Sequence, residues 1–206
     1  MRRTKEESQQ TREAILNAAV KTFVEKGVAK TSLEEIARAA KVTRGAIYWH
    51  FKNKTEIFDA LYERLHLPLV DMIVQDVEKD LPHPLRQIQE LCANFLLDLE
   101  KNTPKRQALT LFLMKCDYSG ELARYKDKHA DIKERKIRLS ARYFENAKKK
   151  GLLAPDADPK LLTLALTCYM KGIVLEYLED PAGFDMGRKA PKLVAQFFEG
   201  LGGGAG

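Results

Sequence analysis

The stretch that decides the fold runs from Thr31 to Phe58 and reads TSLEEIARAAKVTRGAIYWHFKNKTEIF. Residues 31–40 predict a helix, because Thr31 to Glu34 has the spacing of a capping box and apolar residues then recur at helical spacing. A connection of about three residues leads to a second short helix, expected from Thr43 to about His50. Two helices joined by so short a turn indicate a helix-turn-helix.

The second helix of this pair has the composition that entry into a DNA major groove requires. Gly45 and Ala46 permit close approach to the duplex, and Arg44 offers two hydrogen bonds to a guanine edge. Threonine, tyrosine, histidine and lysine side chains nearby offer further donors to bases and phosphates. The residues expected to contact DNA are Thr31, Ser32, Thr43, Arg44, Gly45, Ala46, Tyr48, Trp49, His50, Lys52 and Lys54.

Two of these residues allow another interpretation. Trp49 could be a core anchor, and His50 could be a packing residue at the end of its helix. Ile47, by contrast, is expected to face the core of the module together with Phe51, four residues later.

Charge is distributed unevenly along the 206-residue chain. Residues 1–54 carry 12 Lys/Arg against 6 Asp/Glu, and the rest carries 23 of each, so the whole net charge of +6 lies in the first quarter. This asymmetry favours a small module that faces a polyanion and a larger body that does not.

Helical patterns continue on both sides of the decisive stretch. A first helix is expected from about Thr11 to Lys26, and Asn53 to Glu56 resembles a second capping box that opens a long fourth helix. Pro68 lies inside that fourth helix and should kink or divide it. No segment reads as a strand, so the chain is expected to be all-α, with a three-helix DNA-binding domain followed by a larger helical domain.

Several classes of protein are disfavoured. The longest uncharged run of the main body, residues 161–170, is half the length of a membrane span, and three separated cysteines favour a reducing, cytoplasmic setting. The chain has no nucleophile elbow, phosphate loop or metal-binding spacing of histidines, so neither enzyme activity nor any metal or cofactor is expected. An all-helical enzyme and a non-specific nucleic-acid-binding protein remain the alternatives to a sequence-specific regulator.

The segment from Thr31 to Phe58 resembles the DNA-binding domain of the TetR family of bacterial transcription regulators, and within it the AcrR-like repressors of multidrug efflux operons. The opening RRTKEESQQTREAILNAA and the segment from Met114 to Asp117 resemble that branch as well. Lys41 departs from the family pattern, which often has glycine in the turn. The resemblance implies a cytoplasmic repressor that leaves a palindromic operator when a small amphipathic molecule binds.

The resemblance also implies a DNA-binding domain over residues 1–53, a ligand-binding and dimerisation domain over residues 54–201 and a flexible glycine-rich tail over residues 202–206. The fourth helix would couple the two domains. Lys171 interrupts an apolar helix, and its ammonium would need a partner if it is buried. Three alternatives are open: a salt bridge to Asp117 or Glu176, a contact to the ligand, or exposure to solvent. The residues expected to line the ligand cavity are Met72, Cys92, Phe95, Leu109, Leu113, Thr167 and Lys171.

The last two helices are expected to form a homodimer. Residues 161–170 are apolar on nearly all sides, so this helix requires a second dry surface besides its own core. A twofold four-helix interface would supply that surface. Its expected residues are Leu161, Leu193, Phe197 and Leu201.

Overall fold

The computed structural model describes residues 5–79 and 82–202, and within these ranges the chain is helical with connecting turns and no strand. The predicted all-α class is therefore confirmed. The predicted tail at residues 202–206 lies, except for Gly202, outside the described residues. Nine α-helices occur in the described chain: α1 Lys5–Lys26, α2 Leu33–Ala39, α3 Arg44–His50, α4 Lys54–Glu78, α5 Pro84–Lys101, α6 Thr103–Thr110, α7 Lys126–Lys149, α8 Pro159–Glu179 and α9 Met186–Gly202.

Several helix boundaries differ from those expected. Helix α1 begins at Lys5 rather than near Thr11, and α4 passes through Pro68 without being divided. Helix α6 ends at Thr110, and a π-helical turn, Leu111–Lys115, follows it. A short 3₁₀ segment, Gly120–Tyr125, then precedes α7.

The chain forms two compact units. Among the residues that the structure describes, those within 1–66 and 103–129 form the first unit, and those within 67–102 and 130–206 form the second. Residues 103–129 join the first unit because a ring cluster about Phe58, in α4, includes Phe112, Tyr118 and Tyr125. The division of functional domains after residue 53 stays a prediction; the contact-based units divide the chain elsewhere. Helix α4 is a single helix whose first half belongs to the first unit and whose second half belongs to the second.

The first unit packs α1, α2, α3 and the start of α4 around one apolar core. Ile15, Phe23, Ile36, Ile47 and Phe58 are each fully buried there. Because α3 is only seven residues long, it depends on this tertiary packing rather than on its own helix propensity.

The second unit has its own core. Helices α5 and α9 pack against each other, and Phe144 of α7 stacks over Phe198 of α9 with ring centroids 6.5 Å apart. Asp158 caps α8 by accepting from the backbone N–H groups of Lys160 and Leu161, and Pro159 occupies the first helical position.

Helix α8 leaves much of its apolar surface uncovered. Among the described residues it is the one helix long and apolar enough to cross a membrane by length and composition, and 33% of its most apolar window is buried inside the protein. Leu161 and Leu164 are 63% and 53% exposed. An exposed apolar helix face of this size is expected to meet a partner.

Candidate nucleic-acid interface

The helix-turn-helix begins at a capping box that lies one residue later than expected. The hydroxyl of Ser32 accepts from the backbone N–H of Glu35, and the carboxylate of Glu35 accepts from the backbone N–H of Ser32. Hydrogen bonds from Lys26 and Ser32 lower the pKa of Glu35 to about 2. The capping box predicted at Thr31 and Glu34 is therefore wrong in register, because Ser32 occupies the cap position.

The position of Thr31 disagrees with the DNA contact expected for it. It is 3% exposed, and its hydroxyl donates to the carbonyl of Gly27 at 2.8 Å. A buried, hydrogen-bonded hydroxyl has no free reach to a duplex, so this predicted contact is corrected. Ser32 is partly exposed, but its hydroxyl is held in the capping box.

The turn between α2 and α3 reverses the chain at Lys41, whose φ is +56°. The N–H of Val42 then donates to the carbonyl of Ala37, which closes the turn. A left-handed backbone at a non-glycine residue costs roughly 1 kcal/mol. The structure therefore places lysine at the turn position where the resembled family often has glycine.

Helix α3 presents one face to the core and the other to solvent. Thr43 caps it, because the threonine hydroxyl accepts from the backbone N–H of Ala46 at 3.1 Å. Ile47 is completely buried, whereas Trp49 is 82% exposed and Tyr48 is 44% exposed. The interpretation of Trp49 as a core anchor is therefore wrong. A large exposed aromatic surface on a short helix indicates a binding face.

Small residues keep this face open. A side-chain carbon added to Gly45 would meet nothing within 4 Å. The protein's own packing therefore does not require glycine at this position, and the close approach of another molecule remains the available reason for it. His50, at the end of α3, is partly buried and lies beside the ring of Phe51.

Arg44 is held in a loose exposed cluster that the sequence analysis missed. Its Nε lies 3.6 Å from a carboxylate oxygen of Glu34 in α2, and its guanidinium lies 5.6 Å from the ring centroid of Tyr48. Tyr48 donates to the same carboxylate at 3.4 Å. Such exposed ion pairs contribute little free energy, so Arg44 can exchange Glu34 for another acceptor.

Two lysines flank the start of α4. Lys52 is exposed, and its backbone N–H donates to Glu56. The ammonium of Lys54 instead donates to the carbonyl of Ala29 at 2.7 Å. The expected phosphate contact therefore suits Lys52 directly, whereas Lys54 has to give up an internal hydrogen bond. Asn53 caps the helix by accepting from the backbone N–H of Glu56.

The residues expected to line a ligand cavity lie in both compact units. Leu109 and Leu113 belong to the first unit and the other five belong to the second. Cys92 and Leu109 are buried, while Met72 and Leu113 are exposed. Phe95 and Thr167 are partly buried, and the Thr167 hydroxyl donates to the carbonyl of Thr163.

Lys171 is exposed. The alternatives in which its ammonium is buried are therefore wrong, and the alternative of exposure to solvent is confirmed. A lysine that keeps its hydration needs no counter-ion from the protein.

The residues expected at the dimer interface lie in the second unit. Leu161 is strongly exposed, and Leu193, Phe197 and Leu201 are partly exposed. Phe197 also packs on Tyr169 with ring centroids 5.5 Å apart, and the phenol of Tyr169 donates to the carbonyl of Leu193. Phe197 and Leu193 therefore take part in packing between α8 and α9 as well.

Comparison with known proteins gives two matches to sequence families. Residues 15–61 match the family of bacterial regulatory proteins named for tetR, and residues 83–202 match the C-terminal region of MAATS-type transcriptional repressors. The chain is 31% identical to the transcriptional repressor BepR of Brucella suis over 201 residues, which cover 98% of this chain and 96% of BepR.

Solved structures agree with these matches. NalD, the secondary repressor of the MexAB-OprM multidrug efflux pump in Pseudomonas aeruginosa, superposes with a TM-score of 0.80 at 36% identity, over 96% of this chain and 98% of NalD. SmeT from Stenotrophomonas maltophilia in complex with triclosan superposes with a TM-score of 0.81 at 27% identity, over 93% of this chain and 91% of SmeT.

Proposed function

Since the chain belongs to the TetR family of bacterial regulatory proteins, we propose that it is a cytoplasmic repressor of a multidrug efflux operon, released from a palindromic operator by a small amphipathic molecule. The observation that carries the DNA-binding part is the outer face of α3. That face exposes Trp49, Tyr48 and Arg44 beside an unobstructed Gly45, within the part of the chain that holds the whole excess of positive charge.

The proposed contact follows from the geometry of a helix-turn-helix. Helix α3 enters the major groove, with Arg44 reading a base edge and Tyr48 and Trp49 meeting the duplex at the rim. Thr43, Ala46, His50 and Lys52 supply the surrounding contacts, and Lys52 lies next to the start of α4, where the helix dipole adds positive potential.

We propose that the working form is a homodimer, because one short helix reads too few base pairs for a specific site. Two copies related by a twofold axis read two half-sites of a palindrome, spaced by about one or two duplex turns. The uncovered apolar face of α8, with Leu161 and Leu164, offers the surface for this pairing.

Ligand response requires coupling between binding and the spacing of the two α3 helices. Helix α4 supplies a candidate, because it is one continuous helix from the DNA-binding unit into the second unit. A ligand that binds the two states of the dimer with different affinity shifts the population away from the DNA-binding state. The similarity to NalD, a repressor of a multidrug efflux pump, and the solved complex of SmeT with triclosan support an amphipathic aromatic ligand.

The central test selects binding sites from a random duplex library with the full chain and measures affinity by fluorescence anisotropy. We expect enrichment of a palindrome and a steep decrease of affinity with salt. Triclosan is the first probe for release and should lower the affinity for the selected duplex. Enrichment of no palindrome, or affinity equal for selected and random duplexes, would contradict a sequence-specific repressor and favour non-specific binding.

A further inference from the structure

Three side chains join helices α2 and α3 on their exposed side. The Nε of Arg44 lies 3.6 Å from a carboxylate oxygen of Glu34, and the hydroxyl of Tyr48 lies 3.4 Å from the same oxygen. The guanidinium of Arg44 also lies 5.6 Å from the ring centroid of Tyr48, within the range of a cation–π contact. Glu34 is thus an acidic group in direct contact with two side chains that are proposed to meet DNA.

Glu34 contributes little to the stability of the fold through these contacts. Its side chain is 47% exposed, and both contacts are longer than a well-formed hydrogen bond. Its neighbour Glu35 differs, because that carboxylate closes the capping box and accepts from the ammonium of Lys26 at 2.7 Å. Both glutamates lie in the first turn of α2, where the helix dipole favours negative charge. A test on Glu34 therefore has to separate this dipole effect from any role in binding.

The negative charge of Glu34 is unfavourable for DNA binding in general. A carboxylate beside the proposed DNA-binding face repels phosphates and lowers the affinity for every duplex. A repulsive group next to a contacting side chain improves specificity when it weakens the wrong complexes more than the right one. Glu34 has this place, because its closest cation, Arg44, is the side chain proposed to read a base edge.

The orientation of the ion pair shows how Glu34 could favour base reading. Glu34 meets the guanidinium at Nε, the nitrogen nearest to the backbone of Arg44, so the two terminal nitrogens form the far end of the side chain. A guanine edge presents two acceptors in the major groove, and the planar fork of an arginine matches them. An arginine that is already oriented loses less conformational freedom when it binds.

We propose that Glu34 is a positioning residue for sequence reading: it directs the Arg44 guanidinium towards a guanine edge and disfavours contact of this arginine with phosphates. Arg44 keeps its Nε contact when it extends into the groove and loses that contact when it turns to the backbone of the duplex. Because the exposed pair is weak, Glu34 changes the preference for operator over random DNA by a modest factor. The inference rests on the proposed function, since it takes α3 as the reading helix, and it adds a residue of α2 that sets specificity.

The test measures the affinity of the full chain for the selected operator and for a random duplex of equal length by fluorescence anisotropy. Glu34→Gln should raise the affinity for the random duplex, because a repulsive charge is removed. It should lower the ratio of operator affinity to random affinity about two- to fivefold, the range expected for an exposed ion pair. Point substitutions along the operator should locate the lost discrimination at the base pair that Arg44→Ala also affects.

A double-mutant cycle and two further variants separate positioning from a simple effect of charge. In the Arg44→Ala background, Glu34→Gln should leave the affinity ratio unchanged, because the group that Glu34 positions is absent. Glu25→Gln, which removes an exposed carboxylate of α1, is the matched control and should also leave the ratio unchanged. Glu34→Asp keeps the negative charge in the first turn of α2 but shortens the side chain by one methylene. In this variant the ratio should decrease without a gain in affinity for the random duplex.

An unchanged ratio in Glu34→Gln would overturn the inference, and a lower Tm in the same variant would then leave Glu34 with a structural role only. Loss of discrimination at a base pair other than that of Arg44 would also overturn it and would assign Glu34 a base contact of its own, such as a cytosine amino group. Equal affinity of the wild type for operator and random duplex would contradict the proposed function itself. A wild type that discriminates, with a Glu34→Gln variant that discriminates equally well, would remove the inference alone.

Discussion

The imidazole of His129 lies flat on the phenol ring of Tyr62, with ring centroids 3.6 Å apart and planes 5° from parallel. Both ring nitrogens are engaged: Nδ1 meets the hydroxyl of Tyr118 at 2.7 Å, and Nε2 meets a carboxylate oxygen of Asp59 at 3.1 Å. His129 is only 2% exposed, and its own carbonyl accepts from Tyr62. These contacts join the start of α7 to the first half of α4, the half that is closer in sequence to α3.

Stability should fall when the solution is acidified through the range in which histidine titrates. Burial lowers the pKa of His129 below its ordinary value of about 6.5, although the hydrogen bond that the imidazole donates to Asp59 opposes this shift. The unfolded chain therefore binds the proton first, and the stabilising contribution, complete above the unfolded pKa, is lost as the pH falls towards the folded value. We expect the Tm to decrease between pH 7.5 and pH 5.5, measured by circular dichroism.

His129→Gln should flatten this dependence and lower the Tm at pH 7.5, because the stacked ring is lost. His83→Gln, which changes an exposed histidine before α5, is the matched control and should leave the slope unchanged. Other charged groups near His129 are Asp59, Glu63 and Lys128, with Lys128 bridging the two carboxylates. An equally steep decrease in His129→Gln would show that His129 does not cause the pH dependence.

Trp49 and Ile47, two residues apart on α3, should respond in opposite ways to substitution by alanine. Trp49→Ala removes an exposed ring and should leave the unfolding free energy nearly unchanged while weakening operator binding. Ile47→Ala empties a fully buried position and should destabilise the fold by about 2–5 kcal/mol. Because Trp49 is the only tryptophan, its fluorescence reports operator binding directly. A large loss of stability in Trp49→Ala would show that the ring packs inside the protein.

Arg44 and Lys52 should contribute to DNA binding in different ways. Arg44→Ala should cost about 1–3 kcal/mol and relax discrimination at one base pair, because guanine recognition needs its two donors. Lys52→Ala should weaken all sequences alike and reduce the salt slope by about one unit. Lys54→Ala provides a comparison. Because the Lys54 ammonium donates to the carbonyl of Ala29, this substitution should lower the stability of the fold as well as the affinity for DNA. Equal, sequence-independent losses for Arg44 and Lys52 would place the reading helix elsewhere.

The capping box of α2 provides a test of register. Ser32→Ala should destabilise the first unit by about 1 kcal/mol, because the backbone N–H of Glu35 loses its acceptor. Chemical denaturation of Ser32→Ala and of Ser32→Gly separates the cap from side-chain packing, since glycine is tolerated at this position with a loss of only a few tenths of a kcal/mol. Equal losses in the two variants would mean that the hydroxyl contributes through something other than the cap.

Local sequence patterns predicted the helices well, because helix caps and apolar periodicity depend on residues that are close together in the sequence. They failed by one residue at Thr31 and Ser32, since both have a carboxylate three residues later and only packing decides between them. In the structure Thr31 is buried, and Ser32 occupies the N-cap position of α2. The cluster of Glu34 with Arg44 was missed because it joins two helices whose crossing the sequence does not specify.

Interior polar residues were the hardest to predict. Lys171 interrupts an apolar run, which suggested a buried charge, yet the structure exposes it. Lys136, in the highly charged helix α7, is partly buried, a position that its polar neighbours in the sequence did not predict. The two lysines differ in exposure because one face of α8 is exposed in the single chain, whereas the face of α7 that carries Lys136 also carries the buried Tyr143 and Ala147.

Helix α8 should lose its uncovered face when two copies associate. Leu161 and Leu164 are three residues apart on one face and are 63% and 53% exposed, so a twofold interface would remove two large apolar side chains per copy from water. Burial of each contributes about 1.5–3 kcal/mol, and a stable interface of this kind buries about 1,200–2,000 Å² in total.

Replacing both leucines by aspartate should therefore yield a monomer in sedimentation velocity that no longer binds the palindrome, because a single copy reads only one half-site. The double variant leaves the packing of Phe197 against Tyr169 intact, which makes it a sharper test than substitution of Phe197. Leu152→Asp, at a leucine that is 41% exposed in the turn after α7, is the control and should remain dimeric. If the double variant remains dimeric, the dimer interface lies elsewhere on the protein. Partition of the wild type into lipid vesicles, lost in the double variant, would assign the face to a membrane instead.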